Sequence, residues 1–473
     1  MNAPRRQAAL GRIQNVHMVG IGGIGMSSIA EVLLARGFRV SGSDLKKSEV
    51  TAHLEKLGAT IYEGHAETNV QEADVVVYSS AVKPKENPET LEAERRLIPL
   101  IGRAEMLGEL MRMKYGIGVA GTHGKTTTTT LVGLVTQEAG FDPTIIVGGK
   151  VAVFGSNAVS GAGDLIVIEA DEYDRTFLRL TPALAVITTL EADHLDIYKD
   201  LDDIRDAFAQ FADSVPFFGA SILCLDDPNV RELIPRLHRR VITYGTSRQA
   251  TLRAEAVEQV RSSMQFDVYR GADRLGGITL HAPGLHNVRN ALAAVAVGLE
   301  LDVPFETIQR AIGKYSGVER RFEIKGEAQG ILVVDDYAHH PTEIEATLAA
   351  ADKGWPDHRI VAVFQPHLYS RTRDLADAFA RAFYNADVLV LTDVYPAREQ
   401  PLPGVNGEML VDGARHAGHR DVHYVANKVA LPAYLLDLCT EGDLVVTMGA
   451  GDVWRAGEAF LDLLTAREGQ PAA

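Results

Sequence analysis

The segment "GVAGTHGKTTTTTL" at 118–131 places a lysine and five threonines directly after a glycine. β-Branched side chains lose rotamer freedom in a helix, so helix stability alone does not account for this run. A strand, a glycine loop, a lysine and a hydroxyl residue opening a helix form a phosphate-binding arrangement, because backbone N–H groups point at the anion. Lys125 would then lie near the β- and γ-phosphates of ATP, and Thr126 would ligate Mg²⁺. The strict GxxxxGK[ST] spacing fails at Val119, so a purely structural strand–helix turn is the alternative.

Carboxylates follow the next strand-like run, "DLIVIEADEYD", and include Glu169, Asp171 and Glu172. Acidic residues just past a buried strand stand where α/β sheets place ligands. Mg²⁺ prefers one or two carboxylates together with phosphate oxygens and water. A further strand-like run leads into "ITTLEADHLDIY", which contains His194. Together with Lys125, these residues favour a site for ATP and Mg²⁺. A solvated acidic loop and a structural histidine are the alternatives.

The N-terminal segment "VGIGGIG" contains GxGxxG, follows a strand-like run and opens a helix-like one. Asp44 ends the next strand-like run, as in a dinucleotide-binding fingerprint. The loop predicts that a pyrophosphate binds at a helix N-terminus, but it does not name the nucleoside. The later run "YSSAVKPKENPE" is expected to complete the same pocket. The candidate residues for this pocket are Gly20, Gly22, Gly25, Asp44, Ser79 and Ser80.

Continuous apolar runs that alternate with helical patterns must position these residues. Such runs are typical of strands buried on both faces of a parallel sheet, so the fold class is predicted to be α/β. The stretch 250–284 instead alternates and has glycine turns, which indicates antiparallel strands. We expect a Rossmann-like domain at 1–112, a central P-loop-type ATPase domain with a mostly parallel sheet at 113–318, and a Rossmann-like α/β domain at 319–473.

Composition limits the class of partner. The chain has 473 residues, of which 46% are apolar, and a formal net charge of −16. This charge argues against broad binding to nucleic acid or to anionic membranes, which needs a positive face. The two cysteines suggest neither a disulfide framework nor a CxxC metal site. No apolar run reaches the roughly 20 residues of a membrane span, so we expect a cytoplasmic protein without membrane insertion.

Six motifs, read in order, give a more specific indication: "GTHGKTTT", "EADE", "EADHLD", "GLHNVRNALAA", "RRFE" and "DDYAHHPTE". In this order they resemble the Mur ligase family over about residues 15–462. The segments "QPHLYSRT" and "GAGDVW" resemble the sequences of the alanine-adding branch of this family. The resemblance implies ATP-dependent joining of L-alanine to the lactyl carboxylate of UDP-N-acetylmuramate. The reaction would pass through an acyl phosphate, release ADP and phosphate, and supply peptidoglycan precursors.

The resemblance also implies residue roles. Lys125, Glu172 and His194 would be catalytic, and two Mg²⁺ ions would be held by Thr126, Glu172 and His194. Histidine is an unusual ligand for a hard ion, so its assignment rests on the resemblance more than on metal chemistry. The N-terminal glycine loop would hold the UDP part of the nucleotide sugar. The implied ATP-binding residues are Gly121, Thr122, His123, Gly124, Lys125, Thr126, Thr127, Asn290, Arg321 and Asp336.

The amino-acid site is expected in the C-terminal domain, with Tyr337, His339 and Arg371 around the alanine. Relatives often have arginine where this chain has Leu368, which removes one candidate substrate contact. Residues 200–240 contain no lysine, whereas several sister ligases carry a carbamoylated lysine there. We expect the partners to be UDP-N-acetylmuramate, ATP and L-alanine, and the protein to be a monomer or a weak dimer.

Two other functions remain open at this point. A related ligase that attaches a recycled peptide to the same nucleotide sugar would share the loop and the metal motifs. The substrate, free L-alanine or a tripeptide, separates the two ligases. A non-catalytic regulator with a dinucleotide-binding domain would bind NAD through GxGxxG and would not turn over ATP.

Overall fold

The computed structural model describes residues 10–151, 154, 156–194, 197–397 and 399–468. The described chain forms three mostly parallel β-sheets layered with helices, which confirms the predicted α/β class. It divides into two compact units. The first holds the described residues of Met1–Glu255, Asp267–Ile278 and Arg289–Tyr315, and the second holds those of Ala256–Phe266, Thr279–Val288 and Ser316–Ala473.

Residues 15–112, all of which are described, form the N-terminal sheet and its helices. They are β1 (Asn15–Val19), α1 (Ile24–Ala35), β2 (Arg39–Asp44), α2 (Glu49–Lys56), β3 (Thr60–Glu63), β4 (Val75–Tyr78), α3 (Pro88–Arg95), β5 (Leu100–Gly102) and α4 (Arg103–Arg112). The strands are parallel in the order β3-β2-β1-β4-β5. This order confirms the Rossmann-like prediction, and the strand order reverses beside β1, where such folds bind nucleotides.

The central sheet carries the lysine–threonine segment. Its elements are β6 (Tyr115–Ala120), α5 (Lys125–Glu138), β7 (Thr144–Val151), β8 (Ser156–Val159), β9 (Leu165–Glu169), β10 (Leu184–Ile187), α6 (Leu201–Asp213), β11 (Ala220–Cys224), α7 (Pro228–Leu233), β12 (Val241–Gly245), β13 (Leu252–Val260), β14 (Ser263–Arg270), β15 (Asp273–Leu280), α8 (Leu285–Glu300) and α9 (Phe305–Gly313). The strand order is β15-β14-β13-β12-β11-β10-β6-β9-β7-β8. Two-residue connections join β13, β14 and β15, so these neighbours run antiparallel, as the sequence predicts.

The C-terminal sheet belongs to the second unit. Its elements are β16 (Glu323–Ala328), β17 (Ile331–Asp336), α10 (Pro341–Gly354), β18 (Arg359–Phe364), α11 (Tyr369–Asp374), α12 (Ala376–Phe379), β19 (Val388–Leu391), α13 (Gly407–His416), β20 (Val422–Tyr424), α14 (Leu431–Leu438), β21 (Asp443–Met448) and α15 (Trp454–Glu468). The strand order is β16-β17-β21-β18-β19-β20, with β16 antiparallel to β17 and the other pairs parallel. Apolar residues cover both faces of this sheet, which explains why its strands read as continuous apolar runs.

Strand order in the central sheet brings the sequence motifs together. β6 pairs in parallel with β9 on one side and with β10 on the other. The glycine loop follows β6, the acidic loop follows β9, and the segment with His194 follows β10. Because the carboxyl ends of neighbouring parallel strands meet at one edge, all three loops converge there.

Candidate active site

Hydrogen bonds fix the loop between β6 and α5 to the segment after β10. The backbone N–H of Thr122 donates to the carbonyl of Thr189 at 3.0 Å, and the N–H of His123 donates to Oγ1 of Thr189 at 2.9 Å. Gly121 has φ +138°, and a Cβ there would lie 1.9 Å from Oγ1 of Thr188. Only glycine fits, because both the backbone angle and the neighbouring hydroxyl exclude a side chain. The loop is therefore held in one conformation.

Gly124 closes the loop in a left-handed conformation, with φ +81° and ψ −1°, immediately before α5. A Cβ at Gly124 would lie 2.5 Å from Oδ1 of Asn290, which is buried on α8. The same oxygen accepts a hydrogen bond from Oγ1 of Thr128 at 3.2 Å. Asn290 thus lies against the loop between β6 and α5, whereas its predicted contact with adenine stays a prediction.

Lys125 lies at the convergence point of the three loops. Its Nζ donates to the carbonyl of Gly121 at 2.7 Å and to Oε1 of Glu172 at 2.8 Å. Burial alone would lower the pKa of Lys125, but the nearby carboxylates of Glu172, Asp171 and Glu169 outweigh it and raise that pKa. The side chain is a fixed cation beside the acidic loop, as a phosphate-binding lysine must be.

The threonine run has a role at several positions. Thr126 donates from Oγ1 to Oε1 of Glu169 at 3.0 Å, so its hydroxyl faces the acidic loop. Thr127, Thr128, Thr129 and Thr130 are buried. Thr130 returns a hydrogen bond to the carbonyl of Thr126 at 2.8 Å. These side chains pack the helix between neighbouring elements, and the helix tolerates the β-branched run because tertiary contacts outweigh propensity.

Glu172 is buried, and burial raises its pKa to about 7 although Lys125 acts in the opposite direction. The hydroxyl of Tyr198 donates a hydrogen bond to the backbone carbonyl of Glu172 at 2.7 Å, and this bond holds the backbone of the acidic loop in place. His194 has φ +55°, and its Nε2 lies 4.0 Å from Oε1 of Glu172. Its ring packs edge-on against Tyr173, with centroids 5.2 Å apart. The predicted catalytic residues Lys125, Glu172 and His194 therefore lie together.

The residues named as Mg²⁺ ligands fit the ion in part. Thr126 and Glu172 offer hydroxyl and carboxylate oxygens, which Mg²⁺ prefers. His194 offers an imidazole nitrogen, which suits softer ions. Lys125 supplies the positive charge at Glu172 in this structure. The donor set is compatible with Mg²⁺ through its oxygen atoms.

Within the first unit, the N-terminal glycine loop is also fixed by hydrogen bonds. The N–H of Gly22 donates to Oδ2 of Asp44 at 2.8 Å, and the N–H of Gly20 donates to the carbonyl of Ser43 at 2.8 Å. Oδ1 of Asp44 accepts from the N–H of Leu45. Both oxygens of Asp44 therefore hold backbone, and the predicted contacts of this loop with the nucleotide sugar stay predictions. Ser79 adjoins the loop, since a Cβ at Gly20 would lie 3.0 Å from the Cβ of Ser79.

Within the second unit, Asp336 is buried and accepts backbone hydrogen bonds from Phe322 and Ala338, each at 2.7 Å. Burial raises the pKa of Asp336 to about 6, while Arg321 acts in the opposite direction. Arg321 lies 3.6 Å from Glu343 and over the ring of Tyr337. These contacts order the loops at the carboxyl end of β17. The predicted contacts of Asp336 and Arg321 with ATP stay predictions.

The candidate amino-acid residues form one aromatic and cationic group. The ring of Tyr337 packs edge-on against His339, with centroids 5.2 Å apart. The ring of His339 lies 6.1 Å from that of His367, which is 3.4 Å from Nη1 of Arg371. The sequence prediction missed His367. Its position four residues before Arg371, just ahead of a short helix, is the signal that would have found it.

Three domain models of one protein family match successive parts of the chain and together cover most of it. Residues 15–115 match the family described as "Mur ligase family, catalytic domain". Residues 119–298 match "Mur ligase middle domain", and residues 320–451 match "Mur ligase, glutamate ligase domain". The chain is 66% identical over 97% of its length to the UDP-N-acetylmuramate–L-alanine ligase of Salinibacter ruber, of which it covers 97%.

This chain belongs to the Mur ligase family. Mur ligases are ATP-dependent enzymes. The chain is also 54% identical over 96% of its length to the UDP-N-acetylmuramate–L-alanine ligase of Trichlorobacter lovleyi, of which it covers 100%.

Solved structures of other Mur ligases share the fold. The UDP-N-acetylmuramate–alanine ligase of Thermotoga maritima superposes with a TM-score of 0.79 at 30% identity, covering 96% of this chain and 99% of that one. The murein peptide ligase of Psychrobacter arcticus has a TM-score of 0.67 at 26% identity, covering 97% and 100%. These relatives are ligases, which favours an enzyme over a non-catalytic dinucleotide-binding regulator. Across the described ranges, no helix is both long and apolar enough to span a membrane.

Proposed function

We propose that the protein joins L-alanine to the lactyl carboxylate of UDP-N-acetylmuramate, using ATP, in the supply of peptidoglycan precursors. The supporting observation is the Lys125, Thr126 and Glu172 cluster at the carboxyl ends of adjacent strands. It occurs in a chain 66% identical to an alanine-adding ligase. Relatives that are 66% and 54% identical over nearly the whole chain are named alanine-adding ligases, which favours this function over the peptide-recycling alternative.

In the first step, the lactyl carboxylate attacks the γ-phosphorus of ATP, forming an acyl phosphate and releasing ADP. This step needs alignment and charge neutralisation more than covalent help from the protein. The Lys125 ammonium neutralises charge on the transferring phosphoryl group. The N–H groups of Thr122 and His123 hold the loop to Thr189, and the backbone N–H groups at the start of α5 are left to bind the phosphates. Bound Mg²⁺ would neutralise further phosphate charge, held by the oxygens of Thr126 and Glu172, with His194 beside them.

In the second step, the neutral amine of alanine attacks the acyl carbon and phosphate leaves. We propose that Arg371 binds the carboxylate of alanine, with Tyr337 and His339 forming the adjoining walls. A guanidinium suits this role because it grips a carboxylate through two parallel hydrogen bonds. The distances among Tyr337, His339, His367 and Arg371 support a single pocket in the second unit.

The same proposal includes the finer organisation of the protein. We propose a nucleotide-sugar domain at 1–112, an ATP domain at 113–318 and an amino-acid domain at 319–473. The ends of α4 at Arg112 and of α9 at Gly313 support these divisions. We further propose that the enzyme uses Mg²⁺ and acts in the cytoplasm on small-molecule substrates.

Release of ADP from the purified protein tests the function. The assay contains ATP, Mg²⁺ and UDP-N-acetylmuramate, with L-alanine, with the recycled-type tripeptide, or with no acceptor. We expect sustained ADP release with L-alanine only. Sustained release with the tripeptide and none with L-alanine would support the peptide ligase, and no release under any condition would contradict both.

A further inference from the structure

Glu89 is a buried carboxylate that the proposed reaction steps do not use. It lies in the first turn of α3, and its side chain is fully buried. Among the described residues, no arginine or lysine lies within 4.0 Å of it, and the imidazoles of His17 and His65 are 3.4 and 3.5 Å away. A buried carboxylate costs free energy unless hydrogen bonds compensate it, so its partners indicate what it stabilises.

Hydrogen bonds keep Glu89 ionised. Burial alone would raise the pKa of Glu89, but hydrogen bonds from His17, Ser43 and Asn69 outweigh burial and lower that pKa. The N-terminus of α3 also favours a negative charge in its first turn. The carboxylate is therefore a fixed acceptor that can hold several donors at once.

The first connection from Glu89 to the N-terminal glycine loop passes through Ser43, a buried residue near the end of β2. The hydroxyl of Ser43 donates to Oε2 of Glu89. The backbone carbonyl of Ser43 accepts hydrogen bonds from the N–H groups of Gly20 and Ile21, at 2.8 and 3.0 Å. Ser43 therefore joins the buried carboxylate to the first residues of the glycine loop.

The second connection passes through the segment after β3. Oε1 of Glu89 accepts a hydrogen bond from Nδ2 of Asn69 at 2.5 Å. Asn69 also donates to the carbonyl of Gly64 at 3.4 Å, and the N–H of Gly64 donates to the carbonyl of Asp44 at 2.7 Å. Because Oδ2 of Asp44 holds the N–H of Gly22, this connection ends at the glycine loop as well.

We propose that Glu89 is a positioning residue for nucleotide-sugar binding, which acts through Ser43 and Asn69 to hold the N-terminal glycine loop in its binding conformation. The inference rests on the proposed function, because that function supplies the ligand of the loop. Glycines have no side chains that could pack, so the loop depends on hydrogen bonds for a single conformation. Both connections supply such hydrogen bonds from one carboxylate.

The test compares the parent enzyme with Glu89→Met, Glu89→Gln and the control Glu94→Gln. Methionine is similar in length to glutamate but leaves the donors of Ser43 and Asn69 without an acceptor, whereas glutamine keeps one acceptor oxygen. Glu94 is exposed on the same helix, so its replacement should change nothing.

Calorimetric titration without ATP and alanine gives the Kd for UDP-N-acetylmuramate. We expect Glu89→Met to raise this Kd by about 10- to 100-fold, because the binding conformation of the loop becomes a minor state. Glu89→Gln should lie between Glu89→Met and the parent. The kcat at saturating UDP-N-acetylmuramate and the KM for ATP and for alanine should stay at parental values, whereas general damage to the fold would change them too.

Two further measurements test the connection itself. Ser43→Ala should raise the Kd in the parent but add little in Glu89→Met, because residues that act through one another are not additive. Hydrogen exchange of the ligand-free protein should be faster at the N–H groups of residues 20–22 in Glu89→Met and unchanged in the C-terminal sheet.

Several outcomes would overturn the inference. A parental Kd and parental exchange rates in Glu89→Met would exclude Glu89 from this role. Fold changes that multiply in the double variant would contradict the connection through Ser43. A parent that does not bind UDP-N-acetylmuramate would overturn the proposed function, and exchange at residues 20–22 would still decide the role of Glu89. Should Glu89→Met fail to fold, parental Kd values in Glu89→Gln, Ser43→Ala and Asn69→Ala together would contradict the proposal.

Discussion

Nζ of Lys125 lies 2.8 Å from Oε1 of Glu172, which follows the neighbouring strand β9. The lysine predicted to bind phosphate is thus paired with an acid predicted to bind metal. Burial opposes the charge of both side chains. At Lys125 the nearby carboxylates outweigh burial and raise the pKa, whereas at Glu172 burial outweighs Lys125 and raises the pKa to about 7. The pair places an ammonium group beside a carboxyl group at the carboxyl ends of two adjacent strands.

Lys125→Ala should remove catalysis while leaving the fold intact. Loss of one preorganised charge at a transferring phosphoryl group is expected to lower kcat by about 10²- to 10³-fold. The pKa of Glu172 should also rise further, because Lys125 opposes the effect of burial. Steady-state ADP release gives kcat, and thermal unfolding checks the fold. Turnover within a few-fold of the parent would contradict the assignment of Lys125 to phosphate.

Thr126→Ala should increase the Mg²⁺ concentration needed for half-maximal activity, because the hydroxyl that faces Glu169 is lost. Thr126→Ser retains the hydroxyl and should remain close to the parent. Thr127→Ala, one residue further along α5, should have a much smaller effect. Activity measured over a Mg²⁺ titration compares the three variants. An equal shift in Thr126→Ala and Thr127→Ala would show that the effect comes from helix packing.

Gly124→Ala should raise the KM for ATP, because the new Cβ would lie 2.5 Å from Oδ1 of Asn290. Gly140→Ala is a matched control, since its φ is +79° and nothing lies within 4 Å of the added Cβ. Both variants place alanine in a left-handed conformation, which costs about 1 kcal/mol of stability. Only Gly124→Ala should change ATP binding. If both variants kept the parental KM, the loop would not contact ATP.

Arg371→Lys should raise the KM for alanine far more than the KM for ATP, since lysine cannot reproduce a two-point grip on a carboxylate. Arg373→Lys is the control on the same helix, because Arg373 is exposed and pairs with Asp374. Glycine should be a weak substrate, since one methyl group contributes only about 1–3 kcal/mol of discrimination, and L-leucine should be excluded by size. Values of kcat/KM for glycine, L-alanine, L-serine and L-leucine test this. A preference for L-leucine would show that the amino-acid pocket lies elsewhere in the protein.

Much of the fold could be predicted from the sequence because its signals are local. The apolar runs that become β6, β9 and β10 are buried on both faces, so each strand can be recognised from its own residues. The cluster of Lys125 and Glu172 could be predicted for the same reason, since each follows a recognisable strand.

Contacts between residues distant in the sequence could not be predicted. Thr128 and Asn290 are in contact although they are 162 positions apart in the sequence. Arg103 on α4 and Gly25 on α1 are also in contact. Neither pair forms a motif, because the spacing depends on the packing of α5 against α8 and of α4 beside α1. The threonine run is the clearest example. In the structure, Thr128 forms a hydrogen bond to Asn290 and Thr130 forms one to the carbonyl of Thr126, contacts that no sequence motif indicates.

The transfer of ¹⁸O from the substrate to phosphate tests the central claim most directly. The substrate is UDP-N-acetylmuramate in which both lactyl carboxylate oxygens carry ¹⁸O. It is incubated with ATP, Mg²⁺ and L-alanine, and the masses of the products are measured by mass spectrometry. Attack of the carboxylate on ATP, followed by attack of the amine on the acyl phosphate, sends one labelled oxygen into phosphate and leaves the other in the new amide. We therefore predict one ¹⁸O in each phosphate released and one in each alanyl product. Unlabelled phosphate, or ADP release without a labelled alanyl product, would contradict the account.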